Sequence, residues 1–569
     1  MKRTVVAVVA AMMLWGSPTA QADVIEHAGD RYVIHVDEME LTGEESLAEV
    51  LAMCPEVVDM FDQGISLVVG TNSFSLVNHN MSYAGDVDVE QFLSKTKAKE
   101  IELIDVCNMP GTMKGIEGTY KVIDVYFKKG ANGTSGRVSV KADSYGTLKT
   151  YNTVKVERDD LTVWGQLMGG LRHRKVNRIE THDGYEAAVA GFDWKINSKN
   201  KLIVQLGQNY AKTKVNRGEM VSHDRYIDLN IIYDAELSES GATMEIQTVY
   251  AHTGSNSYSD DDILSYRSHM RSNIPVGVTE FYVPLVKDRL SVIAGIEGGS
   301  GYDDFITDDY SNNSFYYDLY AQLDWNFHGV NFCLGDRVRT QKYFQHENEN
   351  YHGTESGVIR SFGHRHRNHF FNFCVYGNIT KHSVLKGSFA KSPVIPSYAE
   401  YCYKESSDQD YYNYYPRLKK LDAYVSELRY EYQKPDFIFS AFVNNSHTNY
   451  YYHENTFQIG ASTFWHKGAM RLSAAVNYYN VMDYGHSYSN VVQLRLQPAF
   501  SLQAGWRIVP QLNYTSFCRY YETDMPSHLA ASLTVTKTIG KWDFDLIGNN
   551  LAHQRYGRRS VALGVTYNW

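Results

Sequence analysis

The sequence predicts an all-β transmembrane barrel of about 22 antiparallel strands, with a small N-terminal α+β plug domain in its lumen. Three observations carry this. The chain ends on a run, SVALGVTYNW, that alternates strictly between apolar and small or polar residues. Similar runs recur from about residue 135 to the end. The connections between them are alternately short and long. The expected division is a signal peptide over 1–22, the plug over 23–134 and an outer membrane β-barrel over 135–569.

The N-terminus reads as an export signal. Lys2 and Arg3 precede an apolar run from Val5 to Trp15, Ser17 and Pro18 break it, and Ala20-Gln21-Ala22 forms an A-x-A cleavage site. The mature chain is then expected to start at Asp23. The apolar run is shorter than the ~20 residues that a spanning helix needs. No cysteine follows the site to carry a lipid anchor.

The segment from 23 to about 130 mixes helix and strand signals. TGEESLAEVLAMCPEVV places Leu47, Val50 and Leu51 on one helical face, with Pro55 as a stop. Ser46 with Glu49, or Thr42 with Glu45, suits a capping box. Strands are expected at 65–70, 74–79, 101–106 and 121–129, and a second helix at 88–100. A barrel this wide leaves a lumen that leaks unless plugged.

From Gly136 onward the alternation has period two. Ile227, Leu229, Ile231 and Tyr233 oppose Asp228 and Asn230. Leu428, Tyr430 and Tyr432 oppose Glu427, Arg429 and Glu431. Val492, Leu494 and Leu496 oppose Gln493, Arg495 and Gln497. Trp542, Phe544 and Leu546 oppose Asp543 and Asp545. One side meets oil and the other water. Tight turns are expected at Asn197-Ser198, Lys287-Asp288, His328-Gly329, Lys434-Pro435 and His466-Lys467. Long polar segments are expected near 173–183, 213–224, 254–274, 301–312, 342–366, 393–418, 516–526 and 550–559. Short turns at one rim and long loops at the other mark an outer-membrane barrel. Closure requires the last strand to pair with the first, near 136–145, because backbone groups in hydrocarbon must pair internally.

The plug segment resembles the plug and first barrel strand of TonB-dependent receptors, and is most similar to the outer-membrane β-barrel family of Bacteroidota-type bacteria. Ile101-Glu102-Leu103-Ile104-Asp105-Val106 is similar to that family's I-E-x-I-[ED]-V, and Val122-Ile123-Asp124-Val125 with Lys128-Lys129 resembles its V-I-N-I-x-x-K-K. The resemblance implies a plugged 22-strand barrel that takes up a bulky nutrient (a metal chelate, a cobalamin or a glycan) with energy from TonB. The partners implied are outer membrane lipid, the TonB periplasmic domain and the barrel insertion machinery, which reads the C-terminal strand. Three departures stand out. The usual Arg-Gly is Val69-Gly70, the usual Gly-Gly is Tyr120-Lys121, and DVIEHAG is the sole candidate for a TonB-contacting strand. They keep open the alternative of a surface-binding or structural barrel that has lost energy coupling.

Other features narrow the function. A net charge of −10 speaks against nucleic acid as a partner. No G-x-S-x-G, H-E-x-x-H or P-loop appears in its required context, so no enzyme and no cofactor are expected. His346, His352, His364, His366 and His369 lie in an expected external loop. His364, His366 and His369 are the candidate metal ligands, since imidazoles at such spacing suit a transition metal or haem; a plain solvated loop is the alternative. Tyrosine clusters at 408–416 and 449–455 suit either sugar stacking or the aromatic girdle. Cys333 and Cys374 fall on neighbouring expected strands, facing the lumen, and form a candidate disulfide. That bond needs Cα atoms about 5.5–6 Å apart, and a register slip of one residue removes it.

Overall fold

The computed structural model describes the chain except for residues 1–23, 29–30, 40, 53–73, 79–80, 83–88, 108–120, 129–131, 177–178, 216–219, 262–263, 288, 306–309, 348–361, 395–420, 450–452, 484–485, 521–522 and 553–558. The signal peptide, the stop at Pro55, the strand expected at 65–70, Val69, Gly70, Tyr120, His352, the tyrosine cluster at 408–416 and the tyrosines Tyr450, Tyr451 and Tyr452 of the second cluster lie outside the described residues.

Twenty-two strands close into a barrel, each antiparallel to its neighbours. The first barrel strand is Gly133–Asp143 and the last is Ser560–Asn568. These two pair as closure requires, with Val565 opposite Val140 and Tyr567 opposite Val138. The Trp569 amide donates to the Gly136 carbonyl at 3.1 Å, fastening the chain end to the first strand. A Cβ at position 136 would meet the Trp569 ring at 2.4 Å, so only glycine admits that ring. Trp569 stacks on Tyr567, which packs against Trp542. Trp325, Phe327 and Phe332 form a similar group farther round the short-turn rim. Aromatic rings at this level are the interfacial girdle of a membrane barrel.

The alternation read from the sequence is the alternation of the wall. Leu563 is 64% exposed, whereas Ala562 is 1% exposed. Leu428, Leu494, Leu496, Trp542, Phe544 and Leu546 are all exposed on the outside, while Glu427, Arg429, Glu431, Gln493, Arg495 and Asp543 are buried on the inside. An outer wall of large apolar side chains and a polar interior is the inverse of a soluble protein. It is stable only with lipid against the wall. The chain is therefore a multi-pass β-barrel of the outer membrane.

Four of the five expected short turns are present, at Asn197–Asn200, Phe327–Val330, Lys434–Phe437 and Lys467–Met470, and the fifth includes Asp288, which lies outside the described residues. The expected long loops are shorter than the sequence suggests, because strands run on into them. Thr243–Asp261 pairs with Leu264–Val286 across nearly all of 254–274, and Val330–Glu347 with Phe362–Thr380 takes up both ends of 342–366. Leu264–Val286 has 23 residues, against the ~9–11 that cross a bilayer. Above the membrane both faces are wet. The ladder continues there while the apolar alternation fades.

Inside the barrel lies the plug. Its sheet contains β1 (Ile25–Ala28), β2 (Arg31–His35), β3 (Phe74–Asn78), β4 (Met81–Ser82), β5 (Ile101–Cys107) and β6 (Lys121–Phe127). The spatial order is β1-β2-β5-β6-β3-β4, and β3 runs parallel to β6. The two resemblance motifs are neighbours, with Ile104 opposite Val125 and Val106 opposite Ile123, all fully buried. Helix α1 (Leu47–Leu51) carries the expected capping box between Ser46 and Glu49. Thr42 also bonds Glu45, at 2.7 Å, but caps no helix. The second expected helix is α2 (Val89–Lys95), followed by a short 3-10 turn at Ala98–Glu100. Leu47, Leu51, Phe92, Leu93 and Ile101 fill the plug core.

Two measurements test this architecture. Leu563→Arg puts a charge on the lipid face of the closing strand and is expected to cost about 2–4 kcal/mol, read by denaturant unfolding from lipid vesicles. The register places Cys333 directly opposite Cys374, both inside and buried, where Cα atoms are ~4.5–5.5 Å apart. In a chain retaining only these two cysteines, oxidative refolding should link their peptides. A ladder shifted by one residue would leave both thiols open to alkylation.

Candidate functional site

The plug-to-wall interface is the candidate site, because any passage through the barrel must break it. At its N-terminal end, strand 421–434 presents Glu427, Arg429, Glu431 and Gln433 to the lumen by simple alternation. Gln433 clamps the backbone of Ile25: its Oε1 accepts from the Ile25 amide at 2.9 Å, and its Nε2 donates to the Ile25 carbonyl at 3.1 Å. His27 Nε2 meets Glu431 Oε2 at 2.8 Å, with both side chains about 2% exposed. Arg429 donates to Glu427 at 2.9 Å and lies over the rings of Tyr32 and Phe442. Two backbone hydrogen bonds and a buried pair thus hold β1 against the wall. DVIEHAG, the candidate TonB-contacting strand, is this edge strand of the plug sheet, already paired with β2.

A second group of contacts lies around the short-turn rim. Lys95 bonds Asp545 at 2.6 Å and Thr566 at 3.0 Å, and Lys97 bonds Asp543 at 2.9 Å and Glu44 at 2.6 Å. Arg137 reaches the Lys95 carbonyl and Glu100. Arg471 pairs with Glu45, and Arg507 pairs with Glu49. Ser473 and Arg495 both donate to the Ala52 carbonyl at the end of α1, an orphan acceptor that a helix C-terminus always leaves. Burial works against charge on Glu44, but the bonds from Lys97 and Lys99 outweigh it and hold its carboxyl below the ordinary range. Burial likewise works against charge on Lys97, yet Glu44 and Asp543 raise it above the usual lysine value.

Among the described residues, only a few apolar wall residues join the plug core, among them Tyr151, Met168, Ile438 and Phe464. The described part of the interface is therefore mostly polar. Water can replace polar contacts one at a time, whereas a large apolar contact must be uncovered at about 25 cal/mol per Å².

Higher on the wall lies a charge network that sequence reasoning missed. Arg337 bonds Asp318 at 2.7 Å and Glu297 at 2.6 Å, and Arg339 bonds Asp318 at 2.8 Å. The Tyr316 hydroxyl donates to Glu297 at 3.0 Å, and the Tyr320 hydroxyl donates to Glu280 at 2.9 Å. The signal was present: Arg337 and Arg339 sit two apart, as do Tyr316, Asp318 and Tyr320, the spacing of one strand face. Assembling them needed the register between strands.

The expected site residues land as follows. His364, His366 and His369 lie on a strand, Phe362–Thr380, rather than in a loop. The side chains of His364 and His366 lie outside the described residues, and His369 is exposed on the outside wall. Among the described residues no group of three or more His, Cys, Asp or Glu is placed to hold a metal ion. The register sets Cys333 opposite Cys374, with no disulfide formed between them.

No family model and no curated protein matches the sequence. The fold does match solved structures. The ferric-catecholate import receptor Fiu from E. coli K12, in its closed form, aligns with TM-score 0.74 at 11% identity, covering 98% of this chain and 100% of that one. This chain has the fold of a plugged outer-membrane receptor. The copper transporter OprC aligns with TM-score 0.74 at 9% identity, covering 96% and 100%. The siderophore receptor PiuA from Acinetobacter baumannii aligns with TM-score 0.71 at 10% identity, covering 97% and 99%. At such identities the likeness is one of fold alone.

Removing one partner of a buried hydrogen bond leaves the other unsatisfied, at about 1–3 kcal/mol. Glu431→Ala is therefore expected to free β1 while leaving the barrel folded. Hydrogen exchange at the amides of Ile25–Ala28 should accelerate by up to 100-fold (~2.7 kcal/mol), with unchanged protection in the barrel strands.

Proposed function

We propose that this protein is a TonB-dependent importer that carries a bulky metal chelate across the outer membrane. The observation that carries the reading is the plug, seated in the lumen of a closed barrel and fastened mainly by polar contacts. Such a plug seals the barrel at rest, yet it can be moved without uncovering a large apolar surface. Extended strands above the membrane would supply the walls of a ligand vestibule. The solved structures of the same fold carry names of import receptors and transporters for ferric catecholates, siderophores and copper, which favours a metal chelate over cobalamin or glycan as cargo. The TonB periplasmic domain is the energy source in this reading.

One observation favours a second reading, a surface-binding barrel without coupling. The sole N-terminal strand candidate for TonB is paired with β2 and clamped by Gln433.

Uptake decides between them. A deletion strain complemented with this gene should accumulate radiolabelled ferric catecholate, and loss of TonB should abolish the accumulation. Import that is indifferent to TonB, joined with no binding of an Asp23-starting peptide to the TonB periplasmic domain, would establish the second reading instead.

A further inference from the structure

The outside wall carries a patch whose charges have no counterpart among the described residues. On Val330–Glu347, the side chains of Arg337, Arg339 and Gln341 are buried inside, so Lys342 points outward in line with exposed Leu334 and Phe344. On Phe362–Thr380, Asn368, Phe370 and Asn372 are buried inside, and Arg365, Arg367 and His369 are exposed outside. The register sets Lys342 directly opposite Arg365, Thr340 opposite Arg367, and Val338 opposite His369. The next strand adds Phe315 opposite Lys342 and Tyr317 opposite Thr340, both exposed outward. The Tyr317 hydroxyl bonds Thr340 and Arg365.

Three features of this patch point to an anionic ligand. Like charges directly opposite on one face of a sheet repel, yet Lys342 faces Arg365. Among the described residues, no carboxylate forms an ion pair with Lys342, Arg365 or Arg367. The level on the wall is also specific. Counted upward from the short turn ending at Val330, Lys342 falls about one membrane crossing along its strand, ~9–11 residues. The exposed Leu319, Leu323, Trp325 and Leu334 lie below it. The patch therefore sits where the apolar band gives way to the head groups of the outer leaflet.

We propose that Lys342, Arg365, Arg367 and His369 bind the phosphate-bearing head group of an outer-leaflet glycolipid, whose acyl chains run down the apolar wall beneath. Cationic side chains at a head-group level are suited to phosphate, and arginine's planar fork takes two phosphate oxygens at once. Tyr317 and Phe315 cover the sugar and upper acyl region between the charges and the band. The inference rests on the membrane barrel and not on transport, so a failed uptake assay leaves it standing.

The test uses full-length protein, purified from outer membranes and stripped of lipid in detergent. It is titrated by native mass spectrometry with bisphosphorylated lipid A, dephosphorylated lipid A and phosphatidylglycerol. The parent should bind bisphosphorylated lipid A at one per chain and at least tenfold more tightly than either other lipid. The triple variant Lys342→Ser, Arg365→Ser, Arg367→Ser should lose that preference and still show the heat-dependent gel shift of a folded barrel. Equal binding of the two lipid A forms by the parent would overturn the proposal, and that comparison needs no variant. Equal binding by parent and folded variant would overturn it too. Binding of phosphatidylglycerol as tight as lipid A would refute the glycolipid assignment.

Discussion

A strand in hydrocarbon has no water to accept its N–H or to donate to its C=O, and each unsatisfied group costs several kcal/mol. The sheet must therefore have no edge within the membrane. Everything else in the molecule follows from the bond between the last strand and the first. Val565 lies against Val140, Trp569 closes on Gly136, and the ring of 22 strands is sealed. Once the sheet is a cylinder, each strand has one face in lipid and one in the lumen. The outer face must then be apolar. The inner face, in a barrel too wide for its own side chains to fill, must be polar or covered by another part of the chain.

The plug is that cover, and the polarity of the lumen decides how it is held. Charged wall residues such as Asp543, Asp545, Glu431 and Arg471 have lost most of their water, so each needs a partner or a hydrogen bond. The plug supplies Lys97, Lys95, His27 and Glu45 at the matching positions. A seal made this way is specific in register. Its strength is spread over many modest contacts, and it can come apart in stages. Around the buried Arg337 and Asp318, the wall satisfies itself by pairing across three neighbouring strands.

How much of this was legible in the sequence depends on where the physics imposes a period. Within the membrane the solvent differs between the two faces, so ELRYEY and WDFDLI could be assigned face by face, and every one of those assignments holds in the wall. The capping box at Ser46 was legible because it is local. Above the membrane, segments such as HTGSNSYSDD are wet on both faces. Nothing in their hydrophobicity separates strand from loop, although their hydrogen-bond ladder continues. Register itself is nearly invisible from one sequence. Cys333 and Cys374 came into view because both are rare residues on neighbouring strands, at similar distances from the loop that joins them. The Arg337 network and the outward cations of Arg365 and Lys342 needed the alignment of strands to be seen.

The fate of β1 joins these points. In sequence, Ile25–Ala28 is a short apolar-polar alternation ahead of a domain, and it suits a free strand offered to a partner. In the fold it is the edge of the plug sheet, and edges attract pairing. One side of its backbone is taken by β2, and Gln433 occupies the backbone groups of Ile25. His27 then reaches past the sheet to Glu431. A partner that pulls on the chain ahead of Val24 would act first on these few contacts, at the corner where the plug meets the short-turn rim. Because β1 is followed in space by β2 and then β5, force applied there would reach the fully buried core of the plug sheet one strand at a time, not all at once. The same clamp that covers β1 lies beside the short-turn rim, next to the turn from Lys434 to Phe437.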